Sequence, residues 1–185
     1  MRKIPTIFVR DWSVDGRWVT STPEPSCLWV FEGEGTATRK YDGTCVTHSL
    51  SGDWFARREV KADKESPAGF VAVQHDTTTG KTIGWEPIEG SPFHKYFLQA
   101  FAASADDNWP EGTYELCGPK INGNPEGYET HTLIWHAAAD VIDVPDRSYD
   151  ALHALLTAPD WTYEGLVFHH QDGRMAKIKK KDFPS

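Results

Sequence analysis

The sequence predicts an α+β fold, in which short strands form antiparallel sheets and a few helices pack against them. Most segments are short runs of β-branched and aromatic residues bounded by turn residues, which is the pattern of sheet strands. Two other segments repeat their apolar residues at helical spacing. The 185 residues contain no internal repeat, low-complexity tract or linker. We therefore expect one domain over residues 1–185.

The predicted strands occur on both sides of the first predicted helix. They cover Thr6–Val9, Cys27–Phe31, Thr44–His48, Trp54–Val60, Phe70–Gln74, Tyr114–Cys117, Thr132–Trp135, Leu166–Phe168 and Met175–Ile178. Strand pairs separated by turns, with two helices between them, are typical of antiparallel sheets.

The two predicted helices cover His94–Ser104 and Tyr149–Thr157. The first repeats aromatic and alanine residues three and four positions apart, so that they share one face. The second begins after Ser148, whose hydroxyl can cap the helix, and carries Asp150 in its first turn.

Composition and charge exclude several classes of protein. Hydrophobic residues make up 39% of the chain and charged residues 25%, which excludes a disordered or fibrous chain. No apolar run approaches a membrane span and no apolar signal core follows the N-terminus, so we expect no membrane contact and a cytoplasmic location. The net charge of −8 argues against indiscriminate coating of nucleic acid.

The C-terminal segment has the opposite charge from the rest of the chain. Residues 174–182 contain five cations and one anion. Such a segment either binds phosphate groups or is a solvated tail, and charge alone favours the tail.

The cysteines and histidines lack the spacing of a zinc site. The three cysteines are far apart and never form a C-x-x-C pair, as expected for buried thiols in a reducing cytosol. His131 and His136 are five residues apart, and His169 and His170 are adjacent, so neither pair has the spacing of two ligands on one helix face. The sequence therefore predicts no zinc site.

The first motif with chemical potential is Lys40-Tyr41-Asp42-Gly43-Thr44. It has two interpretations. One is a hairpin turn at Asp42-Gly43 preceded by a solvated lysine. The other is a nucleophile, because neighbouring cations or a desolvated pocket lower the pKa of a lysine amine and free its lone pair.

The second motif is Tyr114–Pro125, in which a strand ends near Glu115. The turn-rich loop after it exposes Lys120, Asn122 and Asn124. The alternative interpretation of this segment is a plain hairpin with an Asn-Gly turn.

Two further motifs lie near the C-terminus. Tyr163–Phe168 places Glu164 just before an apolar strand, as a metal contact or only as a residue at a strand edge. In Ala176–Lys179, strand alternation directs Lys177 and Lys179 to one face. Two such cations repel each other unless an anion lies between them, and a polyphosphate would suit this position.

The order of these motifs resembles that of the covalent nucleotidyltransferases, which comprise the nucleotide-dependent DNA and RNA ligases and the mRNA capping enzymes. Within that superfamily, the chain resembles the RNA ligase 1 family of ATP-dependent 5′-to-3′ RNA ligases over almost its whole length. The segments that carry the resemblance are Arg2–Val9, Lys40–Cys45, Phe55–Arg57, Gly84–Ile88, Glu115–Pro125 and Glu164–His169. Its most specific parts are Lys40–Cys45 and Gly118–Pro125.

The resemblance implies a nucleotidyltransferase (adenylation) domain in which Lys40 attacks the α-phosphate of ATP. The AMP then passes to an RNA 5′-phosphate and leaves when an RNA 3′-hydroxyl attacks that end. By motif position, Asp42 and Gly43 shape the nucleophile loop, and Arg57 binds the ribose or a phosphate. Glu115 accepts a hydrogen bond from the ribose or helps to hold a metal.

The remaining motifs imply further contacts. Glu164 would hold the divalent ion, Mg²⁺ or alternatively Mn²⁺, and Lys177 and Lys179 would bind the triphosphate. Trp135 would support the adenine, although a core position is about as plausible for a tryptophan there. The expected contacts to RNA ends are Lys120, Asn122, Asn124 and Lys180.

Only six residues follow Lys179, so we expect no OB-fold domain of the kind found in DNA ligases and capping enzymes. A partner protein could then contribute to RNA binding.

Three alternatives stay open at this point. The acceptor could be nicked DNA, a cap or a protein; the domain could bind RNA ends or nucleotides without catalysis; or the chain could be a structural β-rich domain.

Overall fold

A computed structural model describes residues 2–77, 79–104 and 108–184. In chain order the elements are β1 (Phe8–Arg10), β2 (Val19–Pro23), α1 (Leu28–Phe31), β3 (Thr36–Lys40), β4 (Thr44–His48), β5 (Trp54–Val60), β6 (Val71–Asp76), β7 (Lys81–Pro87), α2 (His94–Ala103), β8 (Gly112–Cys117), β9 (Thr132–Trp135), α3 (Tyr149–Thr157), β10 (Gly165–His169) and β11 (Met175–Lys179). Short 3₁₀ turns cover Trp12–Val14, Pro25–Cys27, Ile88–Gly90, His136–Ala138 and Lys180–Asp182.

All pairs between these strands are antiparallel, which confirms the prediction of a mixed fold built on antiparallel sheets with few helices. The chain divides into two compact units. The three-stranded unit comprises Ile4–Tyr41 and Ala139–Ser185, and the six-stranded unit comprises Met1–Lys3 and Asp42–Ala138. None of the helices among the described residues combines the length and the apolar character that a membrane crossing requires.

The three-stranded unit contains a sheet in the order β11-β10-β3 and the separate hairpin β1-β2. Helix α3 begins where predicted, because the Ser148 hydroxyl accepts a hydrogen bond from the Ala151 backbone N–H. The core of this unit includes Ile7, Phe8, Trp29, Val30, Leu152, Leu156, Leu166, Phe168, Ile178 and Phe183. Phe183 lies beyond the basic segment and is only 3% exposed, so that segment is packed in place and is not a solvated tail.

The six-stranded unit contains one antiparallel sheet in the order β6-β7-β5-β4-β8-β9. One face of this sheet is apolar and includes Val46, Ala56, Tyr114 and Leu116. Helix α2 contributes Phe97 and Ala100 to the same cluster. Because side chains alternate along a strand, the residues between those core positions lie on the opposite face, which is polar.

The prediction of a strand over Cys27–Phe31 is wrong, since this segment ends a 3₁₀ turn and continues as helix α1. Pro25 starts the turn, where its fixed φ favours helical backbone and its missing N–H is not needed. Cys27 and Val30 are buried and Leu28 is 48% exposed, a pattern of helical spacing. Four apolar residues are too few for periodicity to distinguish a helix from a strand.

The interpretation of Asp42-Gly43 as a hairpin turn is also wrong. Strand β3, before this turn, pairs with β10. Strand β4, after the turn, pairs with β5 and β8. The chain passes from one compact unit to the other between Tyr41 and Asp42.

Candidate active site

A buried carboxylate between lysine ammonium groups is the main polar feature of the three-stranded unit. Glu164 Oε2 lies 2.7 Å from Lys40 Nζ, and Glu164 Oε1 lies 2.5 Å from Lys179 Nζ. The Glu164 side chain is 8% exposed, and the two lysine side chains are each 18% exposed. Together with Lys177, these residues form what we call the lysine cluster.

Sheet register explains why these residues meet. Gly165, the first residue of β10, is directly opposite Lys40 of β3 and Lys179 of β11. Glu164 precedes Gly165 and therefore reaches both lysines. A Cβ at position 165 would lie 2.1 Å from the carbonyl oxygen of Ile178, so this position requires glycine.

Lys177 joins the cluster by alternation along β11. Ala176 and Ile178 are fully buried in the core, so Lys177 and Lys179 lie on the other face of the strand, as predicted. Burial, followed by repulsion from Lys179 and Lys40, lowers the pKa of Lys177 to about 8. The carboxylates of Asp182 and Glu164 raise the pKa of Lys177 and offset only part of this lowering.

The pKa of Glu164 is set by opposing effects. Burial alone would raise it, but the positive charges of Lys40 and Lys179 outweigh burial and hold the pKa of Glu164 below its ordinary value. The cluster therefore contains one carboxylate and three lysines at neutral pH. Such a site favours an additional anion.

Arg39, the residue before Lys40, is packed against two aromatic rings. Its guanidinium lies 4.2 Å from the ring centre of Tyr41 and 4.1 Å from that of Tyr163. Asp140 accepts a hydrogen bond from the Tyr41 hydroxyl at 2.8 Å and lies 3.6 Å from Arg39. These contacts fix the end of β3 from which Lys40 extends. Sequence reasoning did not identify them, because Asp140 and Tyr163 are remote from Lys40 in the chain.

The last cations continue from β11 into a short 3₁₀ turn. Lys180 is exposed and donates a hydrogen bond to the Trp161 carbonyl at 3.3 Å. Lys181 is also exposed and lies 3.9 Å from Glu164 Oε1. The buried Asp182 accepts a hydrogen bond from the Lys179 backbone N–H. It also forms an ion pair with Arg10 at 2.8 Å. These contacts hold the end of β11 in place.

In the six-stranded unit, side chains hold the backbone of the Asp42-Gly43 turn. Glu115 Oε1 accepts a hydrogen bond from the Gly43 N–H at 3.0 Å, and Glu126 accepts one from the Asp42 N–H at 2.8 Å. The Asn122 amide donates to Asp42 Oδ1 at 3.0 Å and to the Gly43 carbonyl at 2.8 Å. Glu126 was not predicted, because it lies outside the motifs that the sequence presents.

Close packing explains the glycine of this turn. A Cβ on Gly43 would lie 2.3 Å from the Leu116 carbonyl oxygen. The turn can approach β8 only without a side chain at this position. The backbone of Asp42 and Gly43 is thus held close to β8, and their expected role in a nucleophile loop stays a prediction.

Glu115 lies on the polar face of the six-stranded sheet. It is directly opposite Cys45 of β4, and its Oε2 lies 3.0 Å from His136 Nε2. Arg57, next to the core residue Ala56 on β5, is on this same polar face by strand alternation. Trp135 pairs with Tyr114 and packs against the apolar cluster, so it is on the opposite face from Glu115.

The expected RNA contacts on the loop have local partners. Asn124 exchanges two hydrogen bonds with the backbone of Tyr128, at 3.0 and 3.1 Å. The Lys120 backbone N–H donates to His131 Nε2 at 3.3 Å. Asn122 and Asn124 both have positive φ, of 49° and 59°, so they also serve to turn the chain.

The structure thus gathers the predicted residues into two groups. Lys40, Glu164, Lys177 and Lys179 form the lysine cluster. Asp42, Gly43, Glu115 and Asn122 form the bonded turn of the six-stranded unit, while Lys120, Asn124 and Trp135 contact neither group in the hydrogen bonds described above.

Comparison with known proteins gives one partial similarity. No protein-family model matches the chain. A stretch of 76 residues is 34% identical to RNA ligase 1 of Pongo abelii. The match covers 38% of this chain and 23% of that relative, so the chain spans about a quarter of the relative's length. Part of this chain is therefore similar to part of an RNA ligase.

Proposed function

We propose that this chain is an ATP-dependent RNA ligase in which Lys40 carries AMP as a covalent intermediate. Two findings support the proposal. Part of the chain is similar to an RNA ligase, and the lysine expected to be the nucleophile lies in a cluster of cations.

The observation that carries the proposal is the charge of the lysine cluster. Lys40 and Lys179 each contact one oxygen of Glu164, and burial, followed by repulsion from these two lysines, lowers the pKa of Lys177 to about 8. Three cations around a single carboxylate leave positive charge that a polyphosphate can neutralise. Charge-assisted contacts from ammonium groups are a common way to bind phosphate.

The proposed first step forms a P–N bond between Lys40 Nζ and the α-phosphorus of ATP. The P–O bond to the β-phosphate breaks, pyrophosphate leaves, and the amine loses a proton to solvent. A phosphate oxygen of the RNA 5′ end then attacks this phosphorus, the P–N bond breaks, and Lys40 Nζ takes a proton back from solvent. In the last step an RNA 3′-hydroxyl oxygen attacks the activated 5′-phosphorus and loses its proton to solvent, and AMP leaves.

The side chains of the cluster would act mainly by position and charge, as expected for phosphoryl transfer. Lys177 and Lys179 would bind the triphosphate oxygens. Glu164 fits a magnesium ligand, since Mg²⁺ is commonly held by one or two carboxylates together with substrate phosphates. A bound Mg²⁺ would supply neutralisation of phosphate charge. The nucleotide contacts expected of Arg57, Glu115 and Trp135 stay predictions.

The test is the intact mass of the protein after incubation with ATP and Mg²⁺. Any AMP already attached is first removed with pyrophosphate. We expect one added adenylyl group on the wild type, mapped to Lys40, and none on Lys40→Ala. Lys40→Arg should also be inactive, because guanidinium cannot be deprotonated to attack. Lys61→Ala, which changes an exposed lysine, is the matched control and should behave as wild type.

Each contrary result has a specific meaning. An adduct that persists in Lys40→Arg would refute the nucleophile assignment. The absence of any adduct on the wild type would refute the catalytic proposal and favour a domain that binds RNA ends or nucleotides. An adduct followed by joining of nicked DNA, with no joining of RNA, would keep the first step and refute RNA as the acceptor.

A further inference from the structure

Three unlike ligand atoms converge on the polar face of the six-stranded sheet. They are Cys45 Sγ, a carboxylate oxygen of Glu115 and a ring nitrogen of His136, and all lie within 4.8 Å of one another. Glu115 is buried, whereas Cys45 and His136 are half-buried. A small ion could therefore reach the group from the side of the cysteine and histidine.

Strand pairing brings two of these ligands together, and the third lies in the short 3₁₀ turn that follows β9. Cys45 of β4 is directly opposite Glu115 of β8, and Glu115 is directly opposite Ile134 of β9. His136 begins the 3₁₀ turn directly after β9, and the 3.0 Å contact of its Nε2 with Glu115 Oε2 places it beside the same carboxylate. The three ligands come from distant parts of the chain, and for this reason their sequence spacing did not predict a zinc site.

Neighbouring groups orient two of the ligands. The Gly43 backbone N–H donates to Glu115 Oε1 at 3.0 Å, and the Thr113 hydroxyl lies 2.9 Å from His136 Nδ1. A hydroxyl can accept from Nδ1–H, and the lone pair of Nε2 is then available to a metal. Hydrogen bonds of this kind on the second ring nitrogen are usual for metal-binding histidines.

We propose that Cys45, Glu115 and His136 bind a transition-metal ion of the zinc class. Thiolate, imidazole and carboxylate are all zinc ligands, whereas Mg²⁺ prefers oxygen ligands alone. Zn–S and Zn–N bonds of about 2.3 and 2.0 Å place the donors of a tetrahedral site about 3 to 4 Å apart. The 3.0 Å contact of Glu115 with His136 is already in this range, and small side-chain rotations would bring Cys45 into it.

The stoichiometry and the protons of this site follow from its ligands. One ion would bind per chain, with three protein ligands and a fourth position open to water or another oxygen ligand. Binding forms a metal–sulfur bond and releases the thiol proton of Cys45, so affinity should rise with pH. The proposal does not depend on ligase activity.

The test is a titration of the full chain, reduced and stripped of metal, with Co²⁺ as a spectroscopic probe for zinc. We expect one equivalent of Co²⁺ to produce the absorption of a cobalt–thiolate bond, and one equivalent of Zn²⁺ to remove it. Cys45→Ser should abolish this absorption, and His136→Ala should weaken Co²⁺ binding at least tenfold. Cys27→Ser, a change of a buried thiol in the three-stranded unit, should keep the signal.

Several results would overturn the proposal. They are no cobalt–thiolate absorption in the wild type, the same absorption in Cys45→Ser, or loss of the signal in Cys27→Ser alone. Displacement of Co²⁺ by a modest excess of Mg²⁺ would overturn the assignment to the zinc class. Circular dichroism of each variant separates loss of the site from loss of the fold, and Cys45→Ala provides a second variant if Cys45→Ser does not fold.

Discussion

Replacing Lys177 with methionine should stabilise the unliganded protein. The ammonium is half-buried beside Lys179 and Lys40, and burial is the largest cause that lowers its pKa from 10.5 to about 8. At roughly 1.4 kcal/mol per pKa unit, this difference corresponds to about 3 kcal/mol of destabilisation when the lysine is charged. The methionine side chain is similar in length to lysine but carries no charge. We therefore expect Lys177→Met to gain up to about 3 kcal/mol in the free energy of unfolding at pH 7.

The stability difference between wild type and Lys177→Met should depend on pH, because the pKa of Lys177 is lowered in the folded protein. Between pH 8 and 10.5 the unfolded chain holds a proton on Lys177 that the folded chain has lost, so the contribution of Lys177 to wild-type stability rises with pH in this window. The advantage of Lys177→Met should therefore be largest below pH 8 and disappear above pH 10.5. Titrating groups remote from the lysine cluster are common to both proteins and cancel in the difference.

The assay is urea denaturation of wild type and Lys177→Met from pH 7 to 11, with Lys61→Met as the control for an exposed lysine. Lys61→Met should change stability by no more than about 0.5 kcal/mol. A Lys177→Met variant that is less stable than wild type at pH 7, or a difference that does not change with pH, would refute the reasoning.

Three further substitutions test the site. Gly165→Ala should lower the free energy of unfolding by about 3 kcal/mol or more in urea denaturation, because its Cβ would meet the Ile178 carbonyl at 2.1 Å; an unchanged stability would contradict the register. Asn122→Gly keeps the positive φ but removes two hydrogen bonds to Asp42-Gly43, at a cost of about 1 kcal/mol in the same assay. The ion pairs of Glu164 stabilise the wild type above pH 4.5, and this stability is lost as the pH falls through the lowered pKa of Glu164. Glu164→Gln should lack this pH-dependent stability in acid denaturation curves. Identical curves for the two proteins would argue against the ion pairs.

Much of the fold could be predicted from local patterns. Helix α2 follows from apolar spacing and α3 from the serine at its N-cap, because both signals act within one or two turns of chain. Strand β7 was not predicted, although it is a central strand, since its glycine and two charged residues obscure the pattern of a buried strand. The Cys27–Phe31 segment was assigned wrongly because short apolar runs carry no reliable period.

The candidate site could also be predicted only in part from the sequence. Lys177 and Lys179 could be placed on one face from strand alternation, and the motif order identified Lys40 and Glu164 as residues of one site. The register that puts Gly165 between two lysines depends on pairing with β3 and β11, which no local pattern specifies. For the same reason, the sequence did not predict that Cys45 and His136 lie close to Glu115.

The charge imbalance of the lysine cluster connects folding to the proposed function. Glu164 contacts Lys40 and Lys179, one with each oxygen, and burial together with repulsion from these two lysines lowers the pKa of Lys177. An anion at this position would interact most favourably with Lys177, because its charge is the least compensated. The residue that most destabilises the empty site should then contribute most to polyphosphate binding, so a change that relieves the imbalance would stabilise the fold and weaken the binding together. A structural ion-pair cluster would have the opposite property, since its cations would be matched by carboxylates within the protein.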